Sequence, residues 1–291
     1  MTKVLVLGAH GQLGSEINKL IHKKQYSELA DFVFTDVDSL DITEYSTLSE
    51  YLEKNNFSFI INCAAYTNVD KAEDDKDLAY KINSTAVEYL AELSDKYSIR
   101  LIHVSTDYVF NGNQALPYKE SDITNPNSVY GKSKLEGENA ITKYNTGIII
   151  RTSWLYSTFG TNFVKTIIKY GKEKGNLKVV YDQIGTPTYA EDLACVILNI
   201  ITATINNESK FVSGIYNYSN EGVCSWYDFA YEIIKKSKII CTIKAVESKE
   251  FPTKAERPTN SVLNKEKIKN TFNITIPYWK DSLYKMIDKM L

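Results

Sequence analysis

The stretch that most restricts the fold is Lys3-Val4-Leu5-Val6-Leu7, followed at once by Gly8-Ala9-His10-Gly11-Gln12-Leu13-Gly14. An unbroken apolar run of this length and β-branched content reads as a strand buried on both faces of a parallel sheet. From Ser15 to His22 the apolar positions Ile17, Leu20 and Ile21 carry helical spacing. Three glycines between a strand and a helix let the backbone turn tightly. They also bring amide N–H groups against a pyrophosphate at the helix N-terminus. The spacing is G-x-x-G-x-x-G rather than G-x-G-x-x-G, so a glycine turn without a ligand stands as the alternative.

The rest of the chain repeats the alternation. Phe32-Val33-Phe34-Thr35 is a second strand, and it ends at Asp36, at about the ~20-residue distance where a carboxylate accepts hydrogen bonds from an adenosine ribose. A carboxylate there repels a 2′-phosphate and favours NADH over NADPH; a strand-end turn is the other reading. Asp41-Ile42-Thr43 leads into a helix over 45–54. The next strand closes in Asn62-Cys63-Ala64-Ala65, whose small side chains admit either a flat ligand or a tightly packed helix. A long amphipathic helix over 78–96 contains Asn83, and the strand Leu101-Ile102-His103-Val104-Ser105 ends at Thr106-Asp107-Tyr108. Alternation of this kind predicts an α/β, doubly wound parallel sheet with ligands beyond the carboxyl ends of its strands. The glycines, Asp36, Ala64, Ala65 and Thr106 all fall at such ends.

Immediately after the Thr106 strand comes Asn127-Ser128-Val129-Tyr130-Gly131-Lys132-Ser133-Lys134, with a helix cap at Asn127 or Ser128. Tyr130 and Lys134 share a helix face. A nearby ammonium favours phenolate and lowers a phenol from its usual ~10, which suits a proton donor. Two other Tyr-x-x-x-Lys pairs occur, Tyr170/Lys174 and Tyr231/Lys235, so spacing alone selects none of them. Position does: Tyr130/Lys134 directly follows the strand-end hydroxyl of Thr106, whereas Tyr170/Lys174 runs into Gly171 and Gly175 and Tyr231/Lys235 lies in a late helix with no strand-end hydroxyl before it.

Composition excludes other classes. A net charge of −2 gives no basic footprint for nucleic acid, and no apolar stretch is long enough to span a membrane. Cys63, Cys195, Cys224 and Cys241 lack Cys-x-x-Cys spacing, and His10, His22 and His103 form no metal-ligand pattern. Reduced thiols in a cytoplasmic protein are the expectation.

With these motifs in place, the sequence resembles the extended short-chain dehydrogenase/reductases, and within them the dTDP-4-dehydrorhamnose reductases. The resemblance is carried by the glycine turn, Asn62 to Glu73, Ser105 to Phe110, Tyr130 to Lys134, Arg151 to Tyr156, Asn162-Phe163, Asp182 to Thr188 and Arg257 to Ser261. It implies a Rossmann-type sheet with a smaller α/β C-terminal substrate lobe, and hydride transfer from NADPH or NADH to C4 of a dTDP-4-keto-6-deoxysugar. Tyr130 would donate the proton, Lys134 would tune it and hold the nicotinamide ribose, and Thr106 would bind the carbonyl oxygen. The implied cofactor contacts are Gly8, His10, Gly11, Gln12, Leu13, Gly14, Asp36, Asp41, Ile42, Ala64, Ala65, Tyr66 and Asn83, with Tyr130 and Lys134. The implied substrate contacts are Thr67, Val69, Thr106, Asp107, Tyr108, Tyr130, Trp154, Asn162, Gln183, Thr186, Pro187 and Arg257. Sister dehydratases carry Glu after the strand-end Thr-Asp; Tyr108 stands there, which argues against dehydration.

Arg257-Pro258 reads as a planar fork for a diphosphate, or as a salt bridge to a nearby acid. Some relatives dimerise through a magnesium ion held by glutamates; by that resemblance Glu16 is a candidate Mg2+ ligand by position and a homodimer the candidate assembly, but no local cluster of ligands supports a metal, and none is expected. The expected division is 1–150 for the dinucleotide, with 172–212 returning to it, and 151–171 with 213–291 for the substrate. A C4 reductase of another nucleotide sugar, and a non-catalytic subunit of a methionine adenosyltransferase, are the competing readings.

Overall fold

The computed structural model describes residues 2–26, 28–145 and 147–290. The first half alternates as β1 (Lys3–Leu7), α1 (Gln12–Ile21), β2 (Asp31–Thr35), α2 (Tyr45–Asn55), β3 (Phe59–Asn62), α3 (Val69–Ala72), α4 (Lys76–Tyr80), α5 (Ala86–Lys96), β4 (Arg100–Thr106), α6 (Val129–Tyr144) and β5 (Gly147–Thr152). The second half adds β6 (Leu155–Tyr156), α7 (Phe163–Lys174), β7 (Asn176–Val180), β8 (Ile184–Gly185), β9 (Thr188–Tyr189), α8 (Ala190–Asn206), β10 (Gly214–Asn217), β11 (Cys224–Ser225), α9 (Trp226–Lys236), β12 (Thr242–Val246), α10 (Glu266–Phe272) and α11 (Trp279–Asp288).

Six parallel strands form the main sheet in the order β10-β5-β4-β3-β1-β2. Side chains alternate across it, as the two-residue period of a strand requires. Val4, Val6, Phe59, Ile61, Ile148 and Ile150 pack with α1 and α8 on one face. Leu5, Leu7, Ile60, Leu101 and Ile149 pack with α2, α5 and α6 on the other. The expected doubly wound sheet is the observed one. Strand order reverses between β1 and β3, and the crevice beyond their carboxyl ends is where such folds take ligands.

Three placements differ from expectation. The helix over 78–96 is interrupted by a π turn at Lys81–Thr85, a local bulge of the kind found at functional sites. The segment 172–212 does not return to the main sheet through its strand: Asn176–Val180 pairs instead with Thr242–Val246. Its uneven exposure explains why, since a strand covered on one face cannot sit inside a sheet covered on both. Gly214–Asn217, expected in the smaller lobe, is the outer strand of the main sheet beside β5. The smaller lobe has its own core, in which Tyr156, Val164, Phe229, Ile233, Trp279 and Leu283 are buried.

Candidate active site

The glycine turn is shaped by close approach. Gly8 has φ +74°, and a Cβ there would lie 2.7 Å from the Ala64 nitrogen; one on Gly14 would lie 2.4 Å from the Gly8 carbonyl oxygen. Only glycine lets the turn nest against β3 while α1 packs down on it. Gly11 caps α1 without a side-chain hydrogen bond, so the first-turn amides face the crevice. A cleft of about 430 Å³ opens there, walled by Gly8, Gly11, Asp36, Asp41, Ile42, Ala64, Ala65 and Lys81 among others. These residues fit a dinucleotide: small walls, a glycine turn and a strand-end carboxylate at the switch point.

Asp36 Oδ2 accepts the His10 N–H at 2.9 Å and Oδ1 accepts the Val37 N–H at 2.9 Å, which ties β2 to the turn. Asp41 Oδ1 accepts both the hydroxyl and the N–H of Thr43. Although burial would raise its carboxyl, those two bonds hold it below the usual range. The Leu13 side chain is in the core. Asn83, in the π turn, is not among the residues that wall the cleft: its amide clamps the Tyr66 backbone, accepting from N–H at 2.9 Å and donating to C=O at 3.0 Å, and also donates to Ser133. Gln12 accepts a hydrogen bond from Asn162, the N-cap of α7, so Asn162 joins the glycine turn to the second lobe.

At the end of β4 the Thr106 hydroxyl accepts the Tyr108 N–H at 3.2 Å and donates to Asp107 Oδ1 at 3.0 Å. Tyr130 lies in the first turn of α6, whose cap is Ser128 accepting from the Gly131 N–H. A Cβ on Gly131 would come within 2.2 Å of the Tyr108 carbonyl oxygen. The glycine therefore lets the helix start abut 106–110, which sets the Tyr130 and Tyr108 rings edge to face, 5.6 Å apart. Tyr170 and Tyr231 are 39% and 49% exposed, with their lysines folded over their own rings. Neither belongs to the cleft.

One electrostatic expectation is corrected. Burial pushes the Tyr130 phenol above its ordinary value; the Thr106 hydroxyl beside it opposes the shift, and Asp107 and Tyr108 add to it. Lys134 does not lower it here, because its Nζ donates to the Val104 carbonyl at 2.7 Å and sits 3.1 Å from His103 Nε2. Burial brings Lys134 down to about 8 and Asp107 up to about 6. Sequence reasoning passed over His103 and Asn62, although each is a polar residue inside an apolar strand run.

The remaining expected substrate residues separate into two groups. Tyr108 accepts a hydrogen bond from Arg257 Nη1 at 2.9 Å, while Arg257 Nη2 donates to Asp70 Oδ2 at 2.6 Å. The fork is thus engaged by an acid and a phenol at the rim. Val69 opens α3 beside Asp70, with Thr67 exposed just before it. Trp154 has φ +49° and stacks on Trp226 with ring centroids 3.6 Å apart; a Cβ on Gly185 would lie 2.7 Å from its ring. By contrast, Thr186 and Pro187 are buried, the Thr186 hydroxyl donating to the Gly222 carbonyl, and Gln183 donates to Ser248. Those three brace the smaller lobe.

The donor set around Glu16 does not fit magnesium. Glu16 is fully buried and accepts from Ser157 at 2.7 Å. The nearby Glu191 carboxylate is ringed by the ammonium groups of Lys19, Lys23, Lys285 and Lys289. Although burial would raise it, Lys289 and Lys285 hold its carboxyl well below the ordinary range. Four cations leave no room for a fifth, and no group of three or more metal-binding side chains exists among the described residues.

A dinucleotide crevice beyond β1 and β3, with a hydroxyl, a phenol and a lysine gathered about the adjoining strand β4, is the arrangement of a nicotinamide-dependent oxidoreductase of the short-chain type. The family model described as the RmlD substrate binding domain matches residues 1–291. A dTDP-4-dehydrorhamnose reductase from Aggregatibacter actinomycetemcomitans is 40% identical over 292 residues, covering 97% of each chain. The crystal structure of a dTDP-4-dehydrorhamnose reductase from Clostridium acetobutylicum superposes with a TM-score of 0.92 at 41% identity, covering 99% of each chain. One from Bacillus anthracis, in complex with NADP, gives 0.92 at 35% identity, covering 99% of this chain and 100% of that one. The chain belongs to this family of dTDP-4-dehydrorhamnose reductases.

Proposed function

We propose that the protein reduces the C4 keto group of dTDP-4-dehydro-β-L-rhamnose to dTDP-L-rhamnose, with the proton delivered by Tyr130. The observation that carries this is the Thr106 hydroxyl beside the Tyr130 phenol at the carboxyl end of β4, the neighbour of β3, after which Cys63 and Ala64 line the cleft. When bound, the reduced nicotinamide supplies the hydride. The chain's own groups handle the oxygen. The Thr106 hydroxyl and the Tyr130 phenol bind the ketone, and negative charge grows on that oxygen as C4 is reduced. A phenol whose burial keeps it protonated is in the correct state to give its proton to an alkoxide, and a positioned acid contributes roughly 10²–10⁴-fold.

The main sheet, with α8 and β10, holds the dinucleotide, and the smaller lobe holds the sugar nucleotide. Trp154, Tyr108 and Arg257 form the wall facing the sugar and its diphosphate. Asp36 favours NADH, whereas the Bacillus anthracis relative was crystallised with NADP; the cofactor is therefore assigned as either. All four cysteines are free, which suits a reducing compartment such as the cytoplasm. No helix among the described residues is long and apolar enough to cross a membrane.

The test is loss of nicotinamide absorbance with dTDP-4-keto-6-deoxy-L-lyxo-hexose and each cofactor, followed by product identification. dTDP-L-rhamnose is the expected product. Absence of turnover by protein that still binds the dinucleotide would transfer the assignment to another 4-ketosugar, or to a non-catalytic dinucleotide-binding subunit.

A further inference from the structure

Beneath the reacting groups lies a hydrogen-bond chain that the reaction scheme leaves unused. Asn62 and His103 are register partners on β3 and β4, both fully buried, and Lys134 is 1% exposed above them. Asn62 Oδ1 accepts the Ala64 N–H at 3.0 Å. That bond fixes which way the amide points, so the Asn62 amino group is the one facing His103 Nδ1 at 3.0 Å. An amino group can only donate, so Nδ1 must accept. A neutral imidazole that accepts at Nδ1 carries its proton on Nε2. This nitrogen is the one 3.1 Å from Lys134 Nζ. His103 is held neutral, because burial and the Lys134 charge drive its pKa well below 6.5. An N–H therefore points at an amine, an arrangement satisfied when Lys134 is the neutral acceptor and opposed when it is an ammonium.

We propose that Asn62 and His103 are positioning residues that lock this tautomer and thereby loosen the hold of Lys134 on its proton, which sets the alkaline limit of turnover. The inference rests on the acid role given to Tyr130 above. The Tyr130 O–H bond breaks as the alkoxide takes its proton, and the phenolate is reprotonated from water. The other groups facing Lys134 do not supply this effect. Cys63, at the end of β3, is a neutral thiol that burial pushes up to about 12. Glu138, one turn along α6, favours the ammonium but is itself claimed by Arg151 of β5 and Ser105 of β4. Val104 offers a carbonyl, which accepts from amine or ammonium alike.

The chain also reaches the cleft, since Ala64 both binds Asn62 and lines the cavity. A ligand pressed against Ala64 is thus two hydrogen bonds from the imidazole that faces Lys134.

The first test is the 15N spectrum of the histidine-labelled wild-type protein, in which only three histidines contribute. His103 should show an unprotonated Nδ1 and a protonated Nε2; the reverse pattern overturns the proposal whether or not the ketosugar is turned over. The second test uses Asn62→Asp, which keeps an acceptor for Ala64 N–H but turns a second acceptor to Nδ1. That reverses the tautomer and gives Lys134 an acceptor, so the alkaline limb of the kcat profile should rise by roughly one to two pH units. A new carboxylate alone would also raise it. His103→Gln adds no charge, offers Lys134 a carbonyl oxygen, and must move the limb in the same direction. Lower kcat at every pH with an unmoved limb would reduce the pair to packing and sink the idea.

Discussion

Replacing Arg151 by methionine removes the cation beneath the site while keeping most of its bulk. Arg151 and Glu138 are 2% and 1% exposed, with Nη2 2.6 Å from Oε2 and Nε 3.0 and 3.1 Å from the two carboxylate oxygens. Ser105 donates to Oε1 at 2.5 Å. The variant leaves a buried carboxylate with one neutral donor. Breaking a buried pair in this way costs roughly 3–5 kcal/mol, and each kcal/mol moves the Tm of a chain near this size by about 2–4 °C. The midpoint should therefore fall by roughly 6–20 °C. The deficit also depends on pH. With its cation gone, the buried carboxylate binds a proton more readily than it does in the unfolded chain. A group of that kind loses its folded-state advantage as pH rises, so the deficit should be larger at about pH 8 than at about pH 5. Urea unfolding at both pH values measures it. Adding Glu138→Gln should recover most of the loss, because no charge is then stranded. A deficit below about 1 kcal/mol, or one unchanged between the two pH values, would refute the argument.

Tyr130→Phe should bind dinucleotide with unchanged affinity and lose roughly 10²–10⁴-fold in kcat, whereas Tyr231→Phe should match wild type in both; full turnover by the first variant removes Tyr130 from the acid role. Gly131→Ala places a methyl group against the Tyr108 carbonyl, and should lower kcat more than it lowers Tm as the helix start is pushed off 106–110; an unchanged kcat would show that this contact does not set the Tyr130 position.

The sheet was legible because its strands are buried on both faces and so are written as continuous apolar runs, each closed by a glycine, a small residue or a polar end. Val4, Ile60, Ile102 and Ile149 need no partner to be recognised as core. The smaller lobe was less legible. Asn176–Val180 alternates, and nothing local tells an alternating strand which sheet to join; its partner β12 lies beyond α8, β10 and α9. The same non-locality hid the Asn62–His103 pair. Each polar residue was visible in its own strand, but that they face one another depends on the register of β3 with β4. Thr186, Gln183 and Asn162 illustrate the converse. Their motifs are short and recognisable, yet their hydrogen bonds go to Gly222, Ser248 and Gln12, far along the chain.

The late arrival of β10 has a consequence for how the molecule comes into being. The main sheet is not complete when β5 leaves the ribosome: its outer strand and α8, which covers the face already lined by α1, come only after the first part of the smaller lobe. During that interval Ile148 and Ile150 lack the cover of α8, and the β5 edge lacks its β10 partner. The two lobes are consequently halves of one folding unit rather than modules added in series. A fragment ending near residue 150 retains the glycine turn but exposes an apolar sheet face and an open strand edge, the surfaces on which nascent chains associate with one another.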